Sequence, residues 1–185
     1  TPDILPPILQ QGGRPAFKSR LALAATLSPA YGIYSGFELC ENAAIEGREE
    51  YLDSEKYEIR VRDWDAPGNI KDFITRVNRA RRENPALQGF TNLRFLESDD
   101  DQLIAYLKWA PDGSHSVIVV VNLDPFAAHE GTVLVPPDVV GVATGESYGV
   151  YDVLTGERYT WSERNYVRLD PVAGEPVHIF RIEKG

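Results

Sequence analysis

Residues 29–39 read Pro29-Ala30-Tyr31-Gly32-Ile33-Tyr34-Ser35-Gly36-Phe37-Glu38-Leu39, a short apolar run interrupted by glycine, with a carboxylate just past its end. A buried parallel strand reads this way where its C-terminal end opens onto a working face. A helix-like segment precedes the run and a long polar loop follows it. That order predicts one βα unit of a barrel, with the strand at Tyr31–Tyr34 and the loop on the catalytic face. Thr1-Pro2-Asp3 stands one such unit earlier, which puts Asp3 on the same face.

Outward from this run, Phe17, Leu21, Ala24, Ala25 and Leu27 recur at helical spacing, and Pro29 stops them. Pro15 falls near the first turn, where proline is tolerated. Downstream, an acid-rich stretch runs to Gly68 and carries Tyr51, Tyr57 and Trp64, aromatics that disordered segments seldom hold. The clearest helix follows. Asn69 reads as its N-cap, Ile70, Phe73, Ile74, Val77 and Ala80 form its apolar stripe, and Arg76, Arg79, Arg81 and Arg82 crowd its later turns. Asn84-Pro85 ends it.

The texture then changes, and a boundary is expected near Gln88-Gly89. Residues 1–88 mix helix and loop; residues 89–185 read as short strands between turns. Strands are predicted at Leu93–Leu96, Leu103–Trp109, Val117–Val121, Gly131–Val135, Tyr148–Leu154, Arg158–Trp161, Tyr166–Leu169 and Val177–Ile182, with turns at Asp112-Gly113 and Thr155-Gly156. The continuous β-branched run Val117–Val121 reads as a central strand. Together they predict an antiparallel sandwich. One βα unit and one further helix cannot close a barrel, which needs eight strands. Residues 1–88 are therefore expected to be the end of a (β/α)8 barrel whose earlier units lie upstream. A sequence that opens on Thr rather than Met fits that expectation.

Composition narrows the function classes. The 185 residues are 43% hydrophobic and 25% charged, ordinary for a globular core, with a net charge of −9. So acidic a chain is a poor general partner for nucleic acid or for an anionic membrane surface, and no apolar run approaches the roughly 20 residues of a spanning helix. Cys40 is the only cysteine, which fits a reducing, cytoplasmic setting. His115, His129 and His178 are scattered without metal-ligand spacing.

The stretch from Gly32 to Glu38 resembles the end of the eighth barrel strand in the α-amylase superfamily, glycoside hydrolase family 13. Finer likeness runs through Thr1-Pro2-Asp3-Ile4-Leu5, Gly12–Phe17, Leu23–Pro29, Gly32–Asn42, Glu50-Tyr51-Leu52-Asp53-Ser54-Glu55-Lys56-Tyr57, Arg62-Asp63-Trp64, Arg82–Leu87, Val121–Pro125 and Asn165–Asp170. Over nearly the whole chain these strings are similar to the α-1,4-glucan:maltose-1-phosphate maltosyltransferases. That resemblance implies the closing third of a retaining enzyme. The enzyme moves maltosyl units from α-maltose 1-phosphate to the non-reducing end of an α-1,4-glucan. Phosphate is the leaving group, so no cofactor is demanded. The resemblance also implies a homodimer, formed largely through regions upstream. The rivals are another family-13 glucan-active enzyme, of the α-glucosidase or trehalose synthase type, and a non-catalytic carbohydrate-binding module.

By the same resemblance Asp3 stabilises the transition state, where positive charge develops on the sugar. Lys56 and Tyr57 contact the donor sugar. An ammonium can donate to several hydroxyls, and a tyrosine can donate or stack. Read without the resemblance, Asp3 is a turn cap before Pro6-Pro7, and Lys56-Tyr57 is a solvated charge beside a packing aromatic. The nucleophile and the acid/base precede Asp3 in the family. Glu38 is expected to bond loop backbone or another side chain, Arg62-Asp63-Trp64-Asp65 to supply an ion pair and an aromatic plug, and Cys40 to fill the loop. Arg14 marks a helix entry, His178 is a satisfied sheet residue, and Trp109, Tyr151 and Trp161 are expected in the core.

Overall fold

A computed structural model describes residues 4–53 and 59–183. Its first part is helical. α1 (Pro7–Gln11) starts on a proline, which fits the first turn because the missing N–H has no helical acceptor there. α2 (Gly13–Leu27) and α3 (Lys71–Glu83) are the two helices expected from periodicity. α3 begins beyond Asn69, whose Oδ1 still accepts from the Lys71 N–H at 3.2 Å.

Residues 93–183 hold eight strands, all antiparallel: β1 (Leu93–Ser98), β2 (Leu103–Trp109), β3 (Ser116–Asn122), β4 (His129–Leu134), β5 (Tyr148–Asp152), β6 (Arg158–Trp161), β7 (Arg164–Leu169) and β8 (Val177–Glu183). A single-turn helix, α4 (Pro137–Val140), joins β4 to β5. The strands run β6-β5-β8-β3-β2-β1-β4-β7. Where a two-sheet sandwich was expected, one continuous sheet curls on itself. β1 makes the bend possible by changing partner: Leu93–Leu96 pair with β2, and Glu97–Ser98 pair with β4.

Side-chain alternation assigns the two faces. Ile118 and Val120 of β3 meet Trp161 of β6, Val167 and Leu169 of β7 and Phe180 of β8 in the interior of the curl. Val117, Val119 and Val121 point the other way, into a second core with Phe17, Leu21, Phe73 and Val77 of the helices. β3 is buried on both faces, and this explains its unbroken apolar run. The second core spans both sides of Gln88, so the helical part and the sheet share one packed layer.

Polar groups tie that layer together. Lys18 of α2 and Arg76 of α3 both reach Glu175 in the β7–β8 turn, at 2.6 Å each. Burial works to raise the Glu175 carboxyl, but the bonds from Lys18 and Arg76 hold it below its ordinary value. At the other end, α2's terminal carbonyls are capped by cations. Lys108, fully buried on β2, donates to Thr26 O at 2.9 Å, and Arg81 donates to Ala25 O and to Ser28 O. Cations suit a helix C-terminus, where carbonyls lack helical donors.

Tyr31–Tyr34 forms no strand, contrary to the sequence reading. A parallel strand exists only through its neighbours' N–H and C=O groups, and among the described residues no strand lies alongside. The segment is instead fastened by side chains. Arg81 donates to Pro29 O at 2.9 Å and lies over the Tyr31 ring, whose hydroxyl bonds Asn78. No barrel strand is present among the described residues. Trp64 and Trp109 also depart from expectation: both are substantially exposed, Trp64 in a loop and Trp109 at the end of β2. Tyr151 lies between Arg158 and Arg181 of its two neighbouring strands, and of these three aromatics only Trp161 enters the core.

Candidate functional site

Of the site residues read from sequence, Asp3, Lys56 and Tyr57 all lie outside the described residues. What the structure describes is the chain next to them in sequence. Ile4 forms a bridge with Glu50, and the Leu5 N–H donates to Glu49 O at 2.9 Å. Leu5 itself is fully buried and anchors this entry in the core. Gln10 of α1 strengthens it, donating to Leu5 O at 2.8 Å and to Arg48 O at 3.0 Å. A second bridge joins Ala44 to Tyr51, and the Leu52 N–H donates to Ala43 O. The residue after Asp3 and the residues leading to Ser54 are thus laced to one loop.

These contacts frame a cleft of about 400 Å³, lined by Ile4, Leu9, Gly32, Ile33, Tyr34, Ser35, Phe37 and Tyr51. The rings of Tyr34 and Tyr51 pack at 5.3 Å. Burial, with Glu41 nearby adding to it, pushes the Tyr51 hydroxyl up to about 12, so it is a neutral hydroxyl at physiological pH. The aromatic wall offers flat apolar surface and hydroxyl groups, the pairing that suits a ligand with both apolar and hydroxyl faces. Among the described residues that line it, none is a carboxylate or histidine.

Two acids of the same loop, Glu38 and Glu41, are engaged. Glu38 accepts from the Gly36 N–H at 3.0 Å, as expected of a loop-bracing residue. Glu41 accepts from Arg62 Nε at 2.9 Å and from Arg60 Nη1 at 3.2 Å. The ion pair expected of Arg62 therefore exists, with Glu41 as partner. Asp63 instead caps the Asp65 N–H at 3.0 Å. Burial pushes the Cys40 thiol up to about 11, far from a nucleophile's range. Arg14 donates to Asn69 O at 3.3 Å at the start of α2. His178 bonds Asp152 at 2.7 Å within the sheet. No group of three or more His, Cys, Asp or Glu able to hold a metal occurs among the described residues.

Tyr34, Tyr51 and Glu41 were not singled out from sequence as parts of this site. The two tyrosines could have been found by asking which aromatics flank the special segments. Glu41 could not, because its partners are 19 and 21 positions away in an irregular loop.

Comparison with known proteins gives three findings. Residues 95–182 match a family model described as GLGE, C-terminal. The chain is 53% identical over 183 residues to the α-1,4-glucan:maltose-1-phosphate maltosyltransferase of Rhodospirillum rubrum, covering 98% of this chain and 26% of that protein. It is 50% identical to maltosyltransferase 2 of Streptomyces coelicolor (all of this chain, 28% of that one) and 49% identical to the Corynebacterium glutamicum maltosyltransferase (97% and 27%). The chain thus spans about a quarter of the length of these curated relatives. Among solved structures, the maltogenic α-amylase AmyB from Thermotoga neapolitana superposes with a TM-score of 0.60 at 15% identity, over 92% of this chain and 37% of that one. A γ-CGTase from alkalophilic Bacillus clarkii does so at 0.58 and 17%, over 92% and 24%. At such identity these two speak for the fold alone.

Proposed function

The chain belongs to the α-1,4-glucan:maltose-1-phosphate maltosyltransferase family, and from that premise we propose that it is the C-terminal part of an enzyme of that activity. The full enzyme transfers a maltosyl unit from α-maltose 1-phosphate to the non-reducing end of an α-1,4-glucan and releases phosphate. Residues 1–88 supply the end of its (β/α)8 barrel, and the curled sheet follows as a C-terminal domain. Asp3 stabilises the transition state, and Lys56 and Tyr57 contact the donor sugar. The nucleophile and the acid/base come from upstream. We place the enzyme in the cytoplasm, a setting with which the single cysteine of this chain agrees, and assign it a homodimer built by the upstream region.

One observation carries this reading. Ile4, next to Asp3, and Tyr51, at the head of the string leading to Lys56-Tyr57, line the same aromatic cleft. A retaining transferase needs its charge-stabilising carboxylate and its sugar-gripping groups around one sugar ring. Ile4 and Tyr51, distant in sequence, sit on one short scaffold.

The test is phosphate release from α-maltose 1-phosphate by the full-length enzyme, with elongation of the glucan followed by product analysis. Asp3→Ala should lower kcat about 10²–10³-fold, the usual loss when an electrostatic stabiliser is removed, while the melting temperature stays put. The isolated chain should release no phosphate. Unchanged turnover in Asp3→Ala, or a full-length enzyme that instead hydrolyses maltose or makes trehalose, overturns the proposal.

A further inference from the structure

β6 and β7 are consecutive strands joined by Ser162 and Glu163, yet they do not pair with each other. Among the described residues each pairs on one side only, β6 with β5 and β7 with β4, so they are the two edges of the curled sheet. A cleft of about 350 Å³ lies at this seam, with Ser147, Tyr159, Thr160, Arg164, Asn165 and Tyr166 in its lining. An edge strand carries backbone N–H and C=O groups without ladder partners. The seam thus sets backbone donors and acceptors beside rings, hydroxyls and an amide.

The wall of this cleft is fixed in advance. Tyr159 and Tyr166 are 40% and 65% exposed, one on each edge strand. The Tyr166 hydroxyl donates to Glu130 Oε2 at 2.8 Å, and the Tyr159 hydroxyl donates to Glu157. The Tyr159 ring also meets Phe180 edge-on, with centroids 5.8 Å apart. Between the strands, the Ser162 N–H donates to Asn165 Oδ1 and Asn165 Nδ2 donates back to Ser162 O, at 2.8 Å each. Both rings are therefore held in place with surface still open to solvent.

The lining selects the class of ligand. It holds no carboxylate or histidine, and Arg164 is its one charged side chain. A lone guanidinium on a chain of net charge −9 is a poor match for a polyanion. A protein strand fits poorly too. β6 offers only four residues, and Arg158, Arg164 and Arg168 stand exposed along the two edges, where charge blunts strand addition. A sugar polymer matches better. Its ring C–H faces are apolar and suit aromatic surface, and its hydroxyls both donate and accept.

We infer that the seam between β6 and β7 is a binding site for an α-1,4-glucan, which holds a long acceptor while its non-reducing end is elongated at the catalytic centre. The choice of glucan rests on the maltosyltransferase reading above. The seam shares no lining residue with the Tyr34–Tyr51 cleft. Two attachments on one polymer raise the effective concentration of its ends, a gain open only to acceptors long enough to reach both.

The experiment uses the full-length enzyme with α-maltose 1-phosphate as donor and two acceptors, glycogen and the short maltotetraose. Tyr166→Ala removes the more exposed ring. It should raise the KM for glycogen about fivefold or more, as when one of two linked attachments is lost, and leave the maltotetraose KM and kcat unchanged. In a native gel containing glycogen the variant should run ahead of the unmodified enzyme; without glycogen the two should run together. Arg164→Ala, at an exposed position of the same wall, should act in the same direction and decides the matter if Tyr166→Ala does not fold. An unmoved glycogen KM, or a rise of equal size for both acceptors, overturns the inference while the function stands. So does self-association of the unmodified enzyme that Tyr166→Ala abolishes with glycogen kinetics intact, because the edges then take a protein strand. If the unmodified enzyme releases no phosphate from the donor, the function reading falls, and the glycogen gel alone judges the seam.

Discussion

β3 is enclosed on every side. β2 and β8 pair with its two edges, α2 and α3 cover one face, and the curl of the sheet covers the other. The segment Tyr31–Tyr34 has no ladder on either edge among the described residues, and its backbone is irregular. Both are short, apolar and flanked by turn residues. The difference teaches that an apolar run becomes a strand through its neighbours. The eight strands after Gln88 provide one another with edges. The residues before it pack as helices onto the sheet, and among the described residues their strand-like run pairs with no strand.

The sharpest way to break this comparison is to cut the chain at Gln88. Residues 89–185 keep every strand but lose α2 and α3, baring Val117, Val119, Val121, Val177 and Ile179. Each such side chain is worth about 1.5–3 kcal/mol when fully buried, so the fragment should aggregate. A soluble fragment with a cooperative melt and no exposed apolar surface, read by dye binding and light scattering, would show that the sheet does not depend on the helices.

The next test weakens the joint without removing it. Glu175→Ala leaves the nearly buried Lys18 and the adjacent Arg76 without their carboxylate. It should cost about 2–3 kcal/mol in a denaturant titration, the scale for stranding a buried charged partner. A loss below about 0.5 kcal/mol, ordinary for a surface change, would mean that packing alone holds helices to sheet. Because the folded-state Glu175 carboxyl is held below its ordinary value, its contribution is present above the unfolded pKa and is lost as pH falls through the folded one.

The smallest expected effect lies wholly inside the sheet region. His129 bonds Asp100 at 2.9 Å and Asp124 at 3.2 Å, and these contacts, Asp100 first, raise its pKa above the ordinary histidine value. A raised folded-state pKa stabilises below the unfolded value of about 6.5, and that contribution disappears as pH rises through the folded value. Melting temperatures of the native chain and of His129→Gln should therefore converge between neutral and mildly alkaline pH. A gap that is constant across that range would assign His129 a role independent of its charge.

Much of the sheet was legible in sequence because its physics is local. Leu103–Trp109 and Arg158–Trp161 start and end where the strand pattern does, and Val117–Val121 announced a strand buried on both faces. α3 was legible from its stripe of Ile70, Phe73, Val77 and Ala80. α1 was missed because a helix of five residues has too few turns to show a period. The curl was missed because the change of partner within β1 leaves no mark on its residues. The ionic junctions were out of reach for a different reason. Lys18 and Glu175 are 157 positions apart, and only the folded chain brings them within 2.6 Å. The candidate site was legible only as a resemblance: Asp3, Lys56 and Tyr57 carry no spacing signal of their own, whereas the aromatic cleft lined by Ile4 and Tyr51 forms where two bridges, at Ile4 and Ala44, meet one loop.

β8 comes after every other strand in chain order yet sits between β3 and β5. During synthesis, the β5–β6 hairpin has no docking edge until Val177–Glu183 has left the ribosome. A nascent polypeptide halted before Val177 would hold two disconnected pieces of sheet with a slot between them, an open template for strands of other molecules. Its escape from aggregation then depends on how quickly the ribosome completes those seven residues.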